Sequence, residues 1–238
     1  MKIALVGYGK MGMAIEEIAV KKGHEIVLKI TIDNTEDMTM ANLQKADVAI
    51  EFTGPESAFN NVKMCIEAGV PVVSGSTGWL SKWDEVKNLC LEKNGSLIYA
   101  SNYSIGVNLF FEVNRYLAKL MSAYTDYDVK LEEIHHTQKK DAPSGTAITL
   151  AEQVLQNIAT KKQWVNHVSD KEYELEIISE RVDPAPGTHK IKYTSAIDDI
   201  EIIHTAHNRI GFAGGALKAA EFLNDKKGIY TMKDVLGL

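Results

Sequence analysis

The run Gly7-Tyr8-Gly9-Lys10-Met11-Gly12 constrains this chain most, because of what flanks it. Ahead of it, Lys2-Ile3-Ala4-Leu5-Val6 is an apolar, strand-sized run. Behind it, Met13, Ile15, Ile18, Ala19 and Val20 follow a helical pattern that stops at Gly23. A second strand is predicted over 25–32, closing on Asp33, an acid about 20 positions past the last glycine. Strand, glycine turn, helix, strand and acid together are the sequence form of a dinucleotide-binding fold. Gly7 permits the tight turn, Gly9 lets the backbone approach a pyrophosphate, and Gly12 lets the helix lie close to the strand. Asp33 would accept hydrogen bonds from the ribose hydroxyls. A purely structural glycine-rich turn is the alternative, and the intact strand–helix–strand context weighs against it.

The alternation continues. Residues 47–52 read as a strand ending in Thr53-Gly54-Pro55, and 57–68 as a helix closed by Gly69. Pro71-Val72-Val73-Ser74 is a strand running into Gly75-Ser76-Thr77-Gly78. A helix over 81–93 leads to a strand at 96–100 that ends in Ser101-Asn102-Tyr103-Ser104. Ligands on a doubly wound sheet sit at the carboxyl ends of its strands, so these loops are candidates for the cofactor crevice. Ordinary turn chemistry would favour the same residue types.

After a helix over 105–123 the pattern changes to polar alternation. Tyr127, Val129, Leu131 and Glu133 share one face, with Asp128, Lys130 and Glu132 on the other. Further strands are predicted at 173–182, 189–194 and 201–207. A helix begun at Ser144 carries a core-facing stripe of Ala147, Ala151, Val154, Leu155 and Ile158. A sheet covered by helix on one side leaves its other face open. The predicted fold is therefore α/β: a Rossmann-type doubly wound parallel sheet plus a second α+β domain with an open mixed sheet.

Between that first strand and helix lies His135-His136-Thr137-Gln138-Lys139-Lys140-Asp141-Ala142-Pro143-Ser144-Gly145-Thr146. Imidazole titrates near neutral pH and can deliver a proton to a reacting carbon. A lysine nearby can hold a carboxylate. Ser144 can cap a helix whose first residues, Gly145 and Thr146, offer backbone N–H groups to an anion. Adjacent strand residues point to opposite faces, so His135 and His136 cannot share one job. A structurally satisfied pair, a solvated lysine pair or a zinc site are the other readings. The zinc site lacks further ligands at sensible spacing, and no metal is expected. His204, His207 and Arg209 read as structural or peripheral.

This loop resembles that of the dihydrodipicolinate reductases (4-hydroxy-tetrahydrodipicolinate reductases) of bacterial lysine and diaminopimelate synthesis. Their pattern is a His-His pair, two variable residues, Lys, one variable residue and Asp-Ala-Pro-Ser-Gly-Thr, and every fixed position is filled. Gly75-Ser76-Thr77-Gly78, Asn102-Tyr103-Ser104-Ile105-Gly106-Val107-Asn108 and Phe52-Thr53-Gly54-Pro55 are similar to further family segments, and the closing stretch 212–237 is too. The resemblance implies His135 as proton donor, with Lys139 beside it. It implies His136, Ser144, Gly145, Thr146 and Thr77 on the substrate. It implies Gly7, Tyr8, Gly9, Lys10, Met11, Gly12, Asp33, Phe52, Thr53, Gly75, Ser76, Thr77, Ser101, Asn102 and Tyr103 on the cofactor. Some relatives carry arginines where Asn34 and Gly54 stand, and such charges can bind the 2′-phosphate of NADPH. Their absence leans the reading towards NADH. The implied domains are 1–104 with 213–238 for the dinucleotide, and 105–212 for a small dicarboxylate substrate and for assembly into a homotetramer. Another two-domain dehydrogenase and a non-enzymatic NADH sensor are the competing readings.

Composition excludes other classes. A net charge of −6 over 238 residues argues against nucleic acid and anionic membrane surfaces. Apolar runs fall far short of the roughly 20 residues a membrane helix needs. Met1-Lys2 enters the first strand pattern directly, without a signal-peptide pattern. Cys65 and Cys90 read as reduced core thiols, so a cytoplasmic protein is expected.

Overall fold

The computed structural model describes residues 1–208 and 210–238. Arg209, read as structural or peripheral, lies outside the described residues. The chain divides into two units, Met1–Ile105 with Ile210–Leu238, and Gly106–Arg209.

In the first unit, β1 (Lys2–Val6), β2 (Glu25–Ile30), β3 (Val48–Glu51), β4 (Val72–Ser74) and β5 (Ser96–Tyr99) alternate with α1 (Lys10–Lys21), α2 (Met40–Leu43), α3 (Ala58–Glu67) and α4 (Trp83–Glu92). β11 (Gly228–Tyr230), between α7 (Ile210–Leu223) and α8 (Met232–Leu236), completes a parallel sheet of order β11-β5-β4-β3-β1-β2. Every residue of β3 is buried, as expected for a strand covered on both faces. Ala4, Val6, Ala49 and Val72 face a core built with α3 and α4, while Ile3, Leu5, Val48 and Ile50 face one built with α1 and α7. The chain leaves β1 towards β2 on one side and returns as β3 on the other. The carboxyl ends of β1 and β3 therefore flank the switch point where such sheets bind ligands.

The second unit contains α5 (Ile105–Met121), β6 (Asp128–His135), α6 (Gly145–Leu155), β7 (Gln163–Val165), β8 (Glu174–Arg181), β9 (Thr188–Thr194) and β10 (Asp199–Thr205). Its mixed sheet has the order β10-β9-β6-β8-β7, parallel across β6, β8 and β7 and antiparallel across β6, β9 and β10. Val129, Leu131, Leu175, Ile177 and Ile191 pack on Phe110, Ala118, Leu150 and Val154 of α5 and α6. The opposite face carries ion pairs, among them Lys192–Asp199 at 2.7 Å and Lys190–Glu201 at 3.0 Å.

Several boundaries differ from those predicted. β2 stops at Ile30 because Asn34 Oδ1 accepts from the Thr31 backbone N–H at 2.7 Å and turns the chain, leaving Ile32 exposed. α6 stops at Leu155, and Ile158 joins the core from the turn beyond it. The three-residue strands β7 and β11 and the single turn of α2 are too short to carry a readable period.

Candidate active site

In the first unit a cleft of about 490 Å³ opens at the switch point, lined by residues 9–11, 52–55 and 75–77. Gly9 caps α1, no acid stands in that helix's first turn, and a Cβ on Gly9 would meet nothing within 4 Å. The helix start thus presents backbone N–H groups to open space, as a bound pyrophosphate requires. Gly7 and Gly12 lie beneath. Gly7 has φ +98°, and a Cβ there would fall 2.1 Å from the Phe52 carbonyl oxygen. A Cβ on Gly12 would fall 2.7 Å from the Gly7 oxygen. The residues present fit a dinucleotide.

The loops of the cleft are held by a residue that the motif reading missed. Glu51, fully buried at the end of β3, accepts from Thr53 N at 2.9 Å and Thr53 Oγ1 at 2.5 Å. It also accepts from Ser74 Oγ and Ser76 Oγ, each at 2.6 Å. One carboxylate therefore ties the 52–55 loop to the 75–77 loop. An acid closing an otherwise apolar strand was the available signal.

Not every predicted cofactor residue lines this cleft. Tyr8 donates to Glu16 and lies beside the Lys29 ammonium, 4.7 Å from the ring centroid. Asp33 is exposed beyond β2, and Ser101 is exposed beyond β5. Asn102 Oδ1 accepts from Ser104 N at 2.9 Å. Tyr103, predicted on the cofactor, has its ring buried in the core. It packs edge-on against Phe52 and donates to the Ser74 carbonyl at 2.7 Å.

The second unit gathers a charged cluster that strand register creates. Glu133 and His135 sit two residues apart on the buried face of β6. Pairing places His189 of β9 opposite Glu133, Ser179 of β8 beside Glu133, and Arg181 of β8 beside His135. The Glu133 carboxylate accepts from Ser179 Oγ at 2.8 Å, Arg181 Nη2 at 3.1 Å and the Ser144 backbone N–H at 3.1 Å. Burial works to raise its pKa, but these donors and the His135 charge outweigh it and hold the carboxyl below its usual range. Burial pushes His135 below its ordinary 6.5, with Glu133 pulling up and Lys139 and Arg181 pulling down. Burial takes His189 to about 3, so it stays neutral.

Glu133, His135 and His189 bring three potential metal-ligand atoms within 4.8 Å of one another. The carboxylate is already taken up by two neutral donors and a guanidinium, and Arg181 repels a cation there. The arrangement is better suited to holding a proton.

Ser144, expected on the substrate, is placed within this cluster. It is buried, its N–H serves Glu133, and its Oγ accepts from Ala147 N as the cap of α6 and meets His189 Nε2, both at 3.2 Å. The helix start then exposes Gly145, with Thr146 half-buried and no acid in the first turn. Lys139 Nζ pairs with Asp141 at 2.7 and 2.8 Å, and His136 is half-buried beside that loop. Thr77, predicted with these substrate residues, lines the cleft of the first unit.

A Rossmann unit with an anion-ready cleft, followed by a helix-covered mixed sheet carrying an acid–base cluster, defines the two-domain dinucleotide-dependent oxidoreductases. Residues 1–103 match the family model described as dihydrodipicolinate reductase, N-terminus, and residues 106–236 match that for dihydrodipicolinate reductase, C-terminus. The chain belongs to the dihydrodipicolinate reductase family, as its loops suggested. It is 50% identical, over 99% of its length and 98% of the relative's, to the 4-hydroxy-tetrahydrodipicolinate reductase of Christiangramia forsetii. It is 35% identical to that of Methanosarcina acetivorans, over 99% of this chain and 89% of the relative. The solved dipicolinate-bound dihydrodipicolinate reductase from Paenisporosarcina sp. TG-14 has the same fold, with a TM-score of 0.76 at 23% identity over 97% of each chain. An amine dehydrogenase from Mycobacterium smegmatis shares it more distantly, with a TM-score of 0.64.

Proposed function

We propose that this protein reduces 4-hydroxy-tetrahydrodipicolinate (dihydrodipicolinate) to tetrahydrodipicolinate in lysine and diaminopimelate synthesis, with a nicotinamide cofactor. The observation that carries the reading is the half-identical, full-length match to a protein bearing that activity's name. The glycine cleft of the first unit holds the dinucleotide, with Asp33 on a ribose. Bound there, the cofactor would supply a hydride to C4 of the dihydrodipicolinate formed as the 4-hydroxyl leaves as water. His135 gives a proton as charge develops towards C3. Lys139 and the N–H groups of Gly145 and Thr146 hold a carboxylate, with His136 and Thr77 assisting. Positioning of this kind contributes several kcal/mol to barrier reduction.

Lys139 reaches this state by exchanging Asp141 for the substrate. Exposed pairs are worth only about 0–1 kcal/mol, so the exchange costs little. Lys139→Ala is expected to raise the substrate KM and lower kcat together by on the order of 10²-fold in kcat/KM, read by steady-state kinetics. An unchanged KM would remove Lys139 from the substrate.

NADH is the preferred cofactor in this reading. Asn34 is tied to Thr31, the Lys29 carbonyl and Asp37, and Gly54 carries no charge. A Cβ at Gly54 meets nothing within 4 Å, so Gly54→Arg fits the cleft rim. It should raise the NADPH-to-NADH ratio of kcat/KM about tenfold through one charge-assisted contact to the 2′-phosphate. Two buried free thiols and no described helix long and apolar enough to cross a membrane support a cytoplasmic setting. The ion-laced open sheet face is the proposed tetramer surface.

The deciding assay follows NADH and NADPH oxidation with substrate made in situ from pyruvate and aspartate semialdehyde by the preceding synthase. Rapid oxidation supports the reductase. Cofactor binding without oxidation would overturn it in favour of a sensor or another substrate.

A further inference from the structure

His135 has two ring nitrogens in unlike surroundings. Nδ1 is buried and lies 3.4 Å from Glu133 Oε2, with no hydrogen-bond partner among the described residues beyond that approach. On the other side stands Gly187, in the loop between β8 and β9. Gly187 has φ +151°, and a Cβ there would come 3.1 Å from His135 Nε2 and 3.3 Å from Cδ2. Every L residue with a side chain would thus crowd the nitrogen that Glu133 does not face.

Glu133 itself cannot turn away. Ser144 N at the start of α6 and Ser179 Oγ and Arg181 Nη2 on β8 hold it from two sides. His189 packs edge-on against His135, with ring centroids 5.1 Å apart and an interplanar angle of 72°, so the imidazole is confined on that side. A carboxylate facing one imidazole nitrogen stabilises the N–H there and so selects the tautomer.

We propose that Glu133 is the positioning residue of this active site, holding His135 with Nδ1–H turned inward so that Nε2 delivers the proton, and that Gly187 keeps Nε2 uncovered. The proposal rests on His135 being the proton donor. In the step, the imidazolium breaks its Nε2–H bond as the substrate carbon forms a C–H bond. The ring is left neutral, with its remaining proton on Nδ1 facing Glu133. The charged and titratable groups around the ring are Glu133 on β6, Arg181 on β8, His189 on β9, and Lys139 and Asp141 on the loop after β6. Glu133 is the first of these to raise the His135 pKa, so its neutralisation shifts the titration to lower pH.

The test uses full-length protein labelled with ¹⁵N-histidine, with the His135 signals identified by their loss in His135→Gln. Long-range ¹H–¹⁵N spectra across pH should show neutral His135 as the Nδ1–H tautomer. Glu133→Gln should weaken that preference, move the titration to lower pH, and lower kcat by on the order of 10²-fold with the cofactor KM unchanged. A wild-type His135 carrying its proton on Nε2 would overturn the proposal, as would a Glu133→Gln protein with wild-type spectra and kcat. If tautomer and titration move but kcat does not, Glu133 positions His135 and the donor role of His135 fails instead. Should Glu133→Gln not fold, Gly187→Ala decides. It leaves every Glu133 contact in place, so the Nδ1–H signal should persist while kcat falls. Full kcat in that variant would show that Nε2 is not the delivering atom.

Discussion

Replacing His135 with glutamine is expected to lower kcat by about 10² to 10⁴-fold, the share a general acid contributes, while cofactor and substrate binding change little. The fold should survive, because Glu133 keeps Ser144, Ser179 and Arg181 as partners and the glutamine amide can donate to it. An unchanged unfolding midpoint alongside the lost turnover separates chemistry from stability. The wild-type pH profile gives a second reading. A proton donor must be protonated, so kcat/KM falls as pH rises through the pKa of His135 in the free enzyme. Burial holds that pKa below 6.5, so the fall begins on the acid side of the ordinary imidazole value and should vanish in His135→Gln. Near wild-type turnover in this variant would remove His135 from the chemistry.

Gly7→Ala should act on the structure rather than the chemistry. The added methyl would sit 2.1 Å from the Phe52 carbonyl oxygen, a backbone atom that cannot swing aside, and 2.9 Å from Thr53 Cγ2. It would also force φ +98° on a residue with a Cβ. Backbone strain and overpacking together cost roughly 2–5 kcal/mol. That is a large part of the stability of a typical domain. Denaturant unfolding reads the loss, and dinucleotide titration should show binding abolished even where the variant folds. A variant with wild-type stability and dinucleotide affinity would mean that the β1–α1 turn tolerates far more rearrangement than this close approach suggests.

Much of the first unit was legible because its signals are local. Burial on both faces writes continuous apolar runs, the glycine turn has fixed spacing, and a helix start needs only its own cap. The loop from His135 to Thr146 was legible for the same reason: its chemistry is crowded into twelve adjacent residues. The alternation of β6 even put Glu133 on the apolar face beside Val129 and Leu131. That an acid sits there without solvent is the mark of a partnered charge, and the partners were out of reach.

Those partners, Arg181, Ser179 and His189, lie more than 40 positions away along the chain and meet Glu133 only through the register of β8 and β9 on β6. No periodicity records which strand pairs with which, because register follows from the burial of whole faces and from the turns between them. The same holds for Glu51, whose donors come from the loop after β3 and from β4 and the loop after it, and for β11, which is a strand only because the edge of β5 offers it hydrogen bonds. The contact of the Ser144 N–H with Glu133, eleven residues back on β6, has this origin too. Local sequence thus determined the fold class, the glycine turn and the position of the candidate proton-donor loop, since each is encoded by sterics and burial among neighbouring residues. Tertiary structure alone decided which carboxylate faces His135 and which of its nitrogens is left uncovered, since those contacts exist only once distant strands are paired.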